Sequence, residues 1–252
     1  MATITETMII SRAHRFVFVK TNKTAGSSME SLLESYLQPG DMMTLRGEIR
    51  FDNNYIKALN NRGIKTLSKM ESHSPLASAY DRFPESKNYF SFGILRNPFQ
   101  RYVSSFRWNR GGEIERVLTK KLDPKKLERK LQILFINYIQ SGRSQLNTRG
   151  RNLLQSVSSD GNTWCVDRIH RLEDLGKLEK DLAATTGLKI DCKEMPRLKS
   201  NTVAIPKKVN LYTSEAIQLI TSQHQWELDA LGYTAPPAAA EGETDSDEKQ
   251  SK

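Results

Sequence analysis

Only two cysteines, Cys165 and Cys192, occur in 252 residues. They stand neither at metal-ligand spacing nor in a framework of pairs, which argues against a disulfide-stapled secreted module; a single bridge between them stays open. The chain also lacks the roughly 20 consecutive apolar residues that a membrane helix needs. Met1 to Arg15 carries Glu6 and has no long apolar run or small-residue cleavage pattern, so neither a signal peptide nor a membrane anchor is expected, and the default location is cytoplasmic. No His, Asp, Glu and Cys group has ligand spacing, so no metal is expected. The order Gly-x-x-x-x-Gly-Lys-Ser/Thr is missing, which excludes a Walker A loop. There is no internal repeat.

What is present is the composition of a globular protein, 37% hydrophobic, in a length that suits one sizeable domain. The formal net charge of +9 points to anionic partners, whether a nucleotide, a polysaccharide, nucleic acid or a membrane surface.

The short run Phe16-Val17-Phe18-Val19 reads as a buried strand. A polar loop, Lys20 to Ser28, follows it. Met29, Leu32, Leu33, Tyr36 and Leu37 then recur at helical spacing up to Pro39-Gly40. Ile64 to Ser68 is a weaker strand, and Ser74-Pro75 opens a short helix with His73 just before it. Tyr89 to Leu95 is a second strand, running into a helix that Asn97-Pro98 begins and that extends to about Trp108. Residues 113–141 read as helical and basic, reset at Asp123-Pro124. Trp164 to Arg171 is expected as a strand, Leu172 to Thr186 as a helix stopped by Gly187, and Ser214 to Leu231 as a final helix on whose apolar side His224 is structural. This alternation predicts an α/β fold: a single domain over 1–233 with a mainly parallel central sheet flanked by helices, 109–163 being a helical insertion on the acceptor side. Residues 234–252, rich in Pro and Ala and then acidic, are expected to form a disordered tail.

Two segments carry chemistry. Lys23, Thr24, Ala25, Gly26, Ser27 and Ser28 lie between a strand and a helix start, where small residues admit an anion to backbone N–H groups and Lys and hydroxyls add donors. Read by itself, the string serves equally as a capped helix start. Arg96 leaves a second strand end, and Ser104 lies two turns along the following helix, a second place for an anionic group.

Together these segments resemble the sulfotransferase superfamily, most closely its carbohydrate-type, family 2-like branch. That branch has an aromatic-rich strand followed by Pro-Lys-Thr-Gly-Gly-Thr-Ser or similar, and later Arg-Asn-Pro-Phe/Tyr-x-Arg-x-x-Ser. Asn22 stands where the family usually has Pro, and Ala25 where Gly is frequent. The segments Asp167 to Leu175, Met195 to Asn201 and Leu231-Gly232-Tyr233 resemble its later pattern, whereas 109–163 aligns with nothing. The resemblance implies a P-loop-NTPase-like sulfotransferase fold and 3′-phosphoadenosine 5′-phosphosulfate (PAPS) as donor, with adenosine 3′,5′-bisphosphate (PAP) as product. It further implies that Lys23 to Ser28 hold the phosphosulfate side, that Arg96 and Ser104 hold the 3′-phosphate, and that Arg197 or Lys199 adds a third contact.

Sulfuryl transfer needs a base and a positive charge at the leaving oxygen. Lys23 is expected to supply the charge and His73 the base, with Glu71 as the alternative and His14 and His170 as weaker ones. The acceptor is expected to be a hydroxyl of a saccharide, with a small alcohol, a phenol or a protein tyrosine as alternatives and no nucleic acid partner. Competing functions are an atypical nucleotide-dependent kinase and a basic protein that binds polyanions or nucleic acid through 113–151.

Overall fold

The computed structural model describes residues 8–21, 23–44, 52–67, 75–142, 157, 163–198 and 203–239. Its six strands are β1 (Met8–Ser11), β2 (Phe16–Val19), β3 (Met42–Thr44), β4 (Lys65–Leu67), β5 (Phe90–Leu95) and β6 (Arg168–Arg171), in the order β4-β3-β1-β2-β5-β6. β1 pairs antiparallel with β2 and with β3, and the other three pairings are parallel. The sheet is therefore mainly parallel, as the alternation of elements predicts, with β1 alone reversed.

Alternation within the strands builds both faces. In β2 the phenylalanines point one way and the valines the other, and all four are fully buried. Phe16 and Phe18 join Phe92 and Ile94 of β5 on one face, beneath Met29, Leu32 and Leu33 of α1 (Gly26–Glu34) and Leu178 and Leu182 of α7 (Leu175–Thr186). Val17 and Val19 join Met8, Ile10, Leu76 and Ala79 on the other, where α3 (Pro75–Arg82) packs. Gly93 is required on that second face, because a Cβ there would come within 2.8 Å of Val157. The remaining helix of this part, α2 (Asn53–Asn61), is capped by Asp52, which accepts from the N–H groups of Asn54 and Tyr55.

Contacts group the chain into two compact units, 1–101 with 145–201 and 102–144 with 202–252. The first holds the whole sheet with α1, α2, α3 and α7. The second holds most of α4 (Pro98–Asn109), together with α5 (Gly111–Leu118), α6 (Pro124–Gln140) and α8 (Ser214–Leu231), around Phe106, Leu131, Phe135, Tyr138 and Ile220. Asp123 caps α6 ahead of Pro124, which is the reset expected from the sequence. His224 is buried as expected, but α8 kinks at it: its φ is −131°, and its ring bonds Glu227 at 3.2 Å and Tyr102 at 3.3 Å.

Four expectations need correction. β1 lies in a stretch read as having no element, because Met8 to Ser11 is bounded by no Gly or Pro. The strand expected over Trp164 to Arg171 is regular only from Arg168. The block 109–163 divides, its helices α5 and α6 belonging to the second unit and residues from 145 to the first. Finally, the segment from 234 is not free from its start: Ala239 N–H donates to Tyr212 O at 2.7 Å, and Asn210 donates to Pro237 O at 3.4 Å. Residues 240–252 lie outside the described residues.

Candidate functional site

β2, β5 and β6 are parallel neighbours, so the residues that follow Val19, Leu95 and Arg171 emerge at one edge of the sheet. Open α/β sheets bind ligands at that carboxyl edge. All three exits run into helices that begin within a few residues, α1, α4 and α7.

The first exit is tightly braced. Thr21 Oγ1 donates to the carbonyl of Ile94 at 2.5 Å, tying the loop to the end of β5, and Thr24 Oγ1 lies 2.7 Å from Thr21 Oγ1 and 3.0 Å from Thr21 O. The buried Thr24 hydroxyl is thus committed to the loop itself. Lys23 and Ala25 both hold left-handed backbone, φ 61° and 58°, a coiling that turns successive N–H groups to one side as in anion-binding nests. Ala25 is the N-cap of α1 and has no side-chain group to cap with. The helix's own ladder starts at Ser28 and Met29, which donate to Ala25 O at 2.9 and 3.0 Å, ahead of which Gly26 and Ser27 present first-turn N–H groups.

The pairing of Lys20 with Glu30 across the loop is a brace that the sequence reading missed. Lys20 Nζ pairs with Glu30 Oε2 at 2.6 Å, and Glu30 is only 1% exposed. To reach it the Lys20 stem passes over Gly26, where a Cβ would meet Lys20 Cγ at 2.5 Å and Thr21 O at 3.1 Å. Gly26 is therefore glycine because the loop folds onto it. A basic residue before the loop and an acidic one four positions into the helix were the available signal, but many solvated pairs share that spacing.

At the second exit Asn97 Oδ1 accepts from Phe99 N–H at 3.0 Å, a side-chain cap that lets Pro98 open α4. Asn97 N–H donates to Glu173 Oε1 at 3.1 Å, so the turn after β6 steadies the turn after β5. The Arg96 guanidinium lies along the first turn of α4, with Nε and Nη2 at 3.3 and 3.2 Å from Gln100 Oε1. Ser104 is half-buried two turns along α4 and falls in the second unit.

Leu198 N–H donates to Ser28 Oγ at 3.2 Å, a bond between residues 170 positions apart. It brings the segment of the exposed Arg197 to the first turn of α1, so Lys23, Ser27, Arg96 and Arg197 all sit on elements at or tied to this edge. His73, Glu71, Asn22 and Lys199 lie outside the described residues. His14 belongs to the β1–β2 turn, at the opposite end of β2, and bonds the carbonyl of Tyr36 at 3.1 Å. His170 is a core residue, edge-on to Phe92 and 3.8 Å from Asp181, and burial lowers its pKa although Asp181 opposes this. Both cysteines are free, and burial, with Glu179 beside it, pushes the Cys192 thiol up to about 12.

Fold and loop together define an α/β protein with a left-handed loop leading into a helix at the carboxyl edge of its sheet. The model of the Sulfotransferase family matches residues 6–204, and the chain belongs to that family, whose reaction class is sulfuryl transfer. No curated protein and no solved structure matches the chain. Among the described residues no helix is long and apolar enough to cross a membrane.

Proposed function

We propose that this chain transfers a sulfuryl group from PAPS to a hydroxyl of a saccharide. The observation that carries the reading is the left-handed Lys23–Ala25 loop at the start of α1, on the same sheet edge as Arg96. An uncapped helix start with a lysine in the loop suits a phosphosulfate group, and a guanidinium one strand away suits a second phosphate. The saccharide is favoured by the carbohydrate-type form of both motifs and by the net charge of +9.

PAPS supplies the sulfuryl group, which forms a bond to the acceptor oxygen as its bond to the 5′-phosphate oxygen breaks, leaving PAP. Lys23 supplies a compact positive charge where that oxygen becomes more negative, and the N–H groups of Gly26 and Ser27 orient the group. Arg96 holds the 3′-phosphate, Ser104 is the residue that the resemblance names beside it, and Arg197 or Lys199 adds a contact from the segment tied to Ser28. His73 takes the acceptor proton, with Glu71 as the alternative. The cytoplasm is the proposed location.

The test is turnover of sulfur-labelled PAPS against a panel of saccharide, phenol and alkyl-alcohol acceptors. Label should move to a saccharide with release of PAP. His73→Ala should lower turnover by about 10² to 10⁴ with PAP affinity retained, while Lys23→Ala should abolish turnover. No transfer to any acceptor from a folded protein that binds PAP would sink the proposal.

A further inference from the structure

The exposed arc of α6 carries Lys125, Lys126, Arg129 and Lys130, each pair four residues apart and so on one side, opposite the buried Leu131, Phe135, Tyr138 and Ile139. Of the two carboxylates adjacent in sequence, one pairs with Lys126 alone and the other turns away. Asp123 caps the helix and lies 3.8 Å from Lys126 Nζ, and Glu128 turns inward to accept from Asn210 N–H at 2.7 Å. Among the described residues none of Lys125, Arg129 and Lys130 has an ion-pair partner. Ile133 continues the same arc at 51% exposure.

The last described residues of the chain lie against this helix. Asn210 is bonded to α6 twice, through Glu128 and through Gln132, whose amide donates to Asn210 O at 2.8 Å. The Tyr212 ring packs edge-on against Phe135 at 6.3 Å, and Ala239, the last described residue, donates to Tyr212 O. Ala239 therefore lies beside α6. The ten residues that follow Ala239 in the sequence, 240–249, contain Glu241, Glu243, Asp245, Asp247 and Glu248 and one lysine, Lys249. Glu248, nine residues beyond Ala239, reaches up to about 30 Å. The arc is roughly one helix diameter away, about 10–12 Å.

We propose that residues 241–248 dock on the Lys125–Lys130 face of α6 through intramolecular ion pairs. Each exposed pair contributes little, so the contact is a network of several, easily opened by salt or by a competing polyanion.

Carbodiimide cross-linking of the full chain, read by peptide mass spectrometry, tests it. At low salt, amide links should join residues 241–248 to Lys125, Lys126 or Lys130, independently of dilution, and disappear at about 1 M salt, where screening acts within about 3 Å. A variant with Glu241→Gln, Glu243→Gln, Asp245→Asn, Asp247→Asn and Glu248→Gln should keep its fold and show several-fold faster acetylation of these lysines, with Lys57 and Lys87 unchanged. Links spread evenly over Lys57 and Lys87, or links lost on dilution, would overturn the proposal. So would unchanged acetylation in the variant, even if added heparin protects the same lysines, since the face would then serve an external polyanion.

Discussion

Ala25 holds a φ of 58°, in the region where a Cβ costs about 1–2 kcal/mol and glycine costs least. The resemblance places a frequent glycine at this position, and the backbone gives the reason. Ala25→Gly should therefore stabilise the fold by roughly 0.5–1 kcal/mol after the extra unfolded-state entropy of glycine, read as a higher urea midpoint at equal m-value. A lower midpoint would mean that the Ala25 methyl packs where the backbone argument leaves it idle. Residue types in this loop were legible from the sequence; their conformations and bracing were not. The Thr24 hydroxyl, expected at the ligand, is spent on Thr21, and nothing local in Thr-Asn-Lys-Thr announces a bond from Thr21 to a carbonyl 73 positions away. Gly26 likewise reads as a flexible loop glycine, whereas it is fixed by the Lys20 stem crossing it toward Glu30.

Among the elements, those with strong local signals were readable. β2 alternates aromatic and β-branched residues, β5 alternates Phe90 and Phe92 with the small Ser91 and Gly93, α6 has Asp123-Pro124 at its start, and α7 ends at Gly187 with φ 74°. β1, β3 and α2 were missed because three- and four-residue strands and a helix with one buried residue leave little periodicity to detect. β6 is short for a different reason, since it is a sheet edge whose His170 plugs the core beside Phe92. Its pKa is lowered from 6.5 by burial, so the unfolded chain takes up a proton below about pH 6.5 that the fold resists. His170 thus favours the fold fully above that pH, and its contribution is lost as the pH falls. His170→Leu should make the decline in unfolding free energy between about pH 7 and pH 5.5 shallower, by urea titration at each pH. An unchanged slope would assign the acid sensitivity to other groups.

At the scale of the whole molecule, strand order turns separated sequence motifs into one edge. Lys23 and Arg96 are 73 positions apart, yet their strands β2 and β5 pair in parallel, and Leu198 ties a third segment to Ser28. A mainly parallel α/β sheet was legible from the alternation of elements, and sulfotransferase family membership over 6–204 agrees with the two motifs. The division into two units was not legible, because its boundary falls inside the continuous helix α4, where no linker composition marks it. The acceptor was equally unreadable, since such surfaces rest on loops without a general code.

The claim on which the account depends is that this edge holds a nucleotide with two phosphate-bearing ends. Calorimetric titration with PAP, and with AMP as control, on the wild type and on Arg96→Ala tests it most directly. The account predicts that PAP binds well and AMP poorly, and that Arg96→Ala weakens PAP by roughly ten- to a hundredfold, the value of a charge-assisted contact of about 1.5–3 kcal/mol, while leaving AMP almost unchanged. Equal binding of the two nucleotides, or PAP binding indifferent to Arg96, would contradict it.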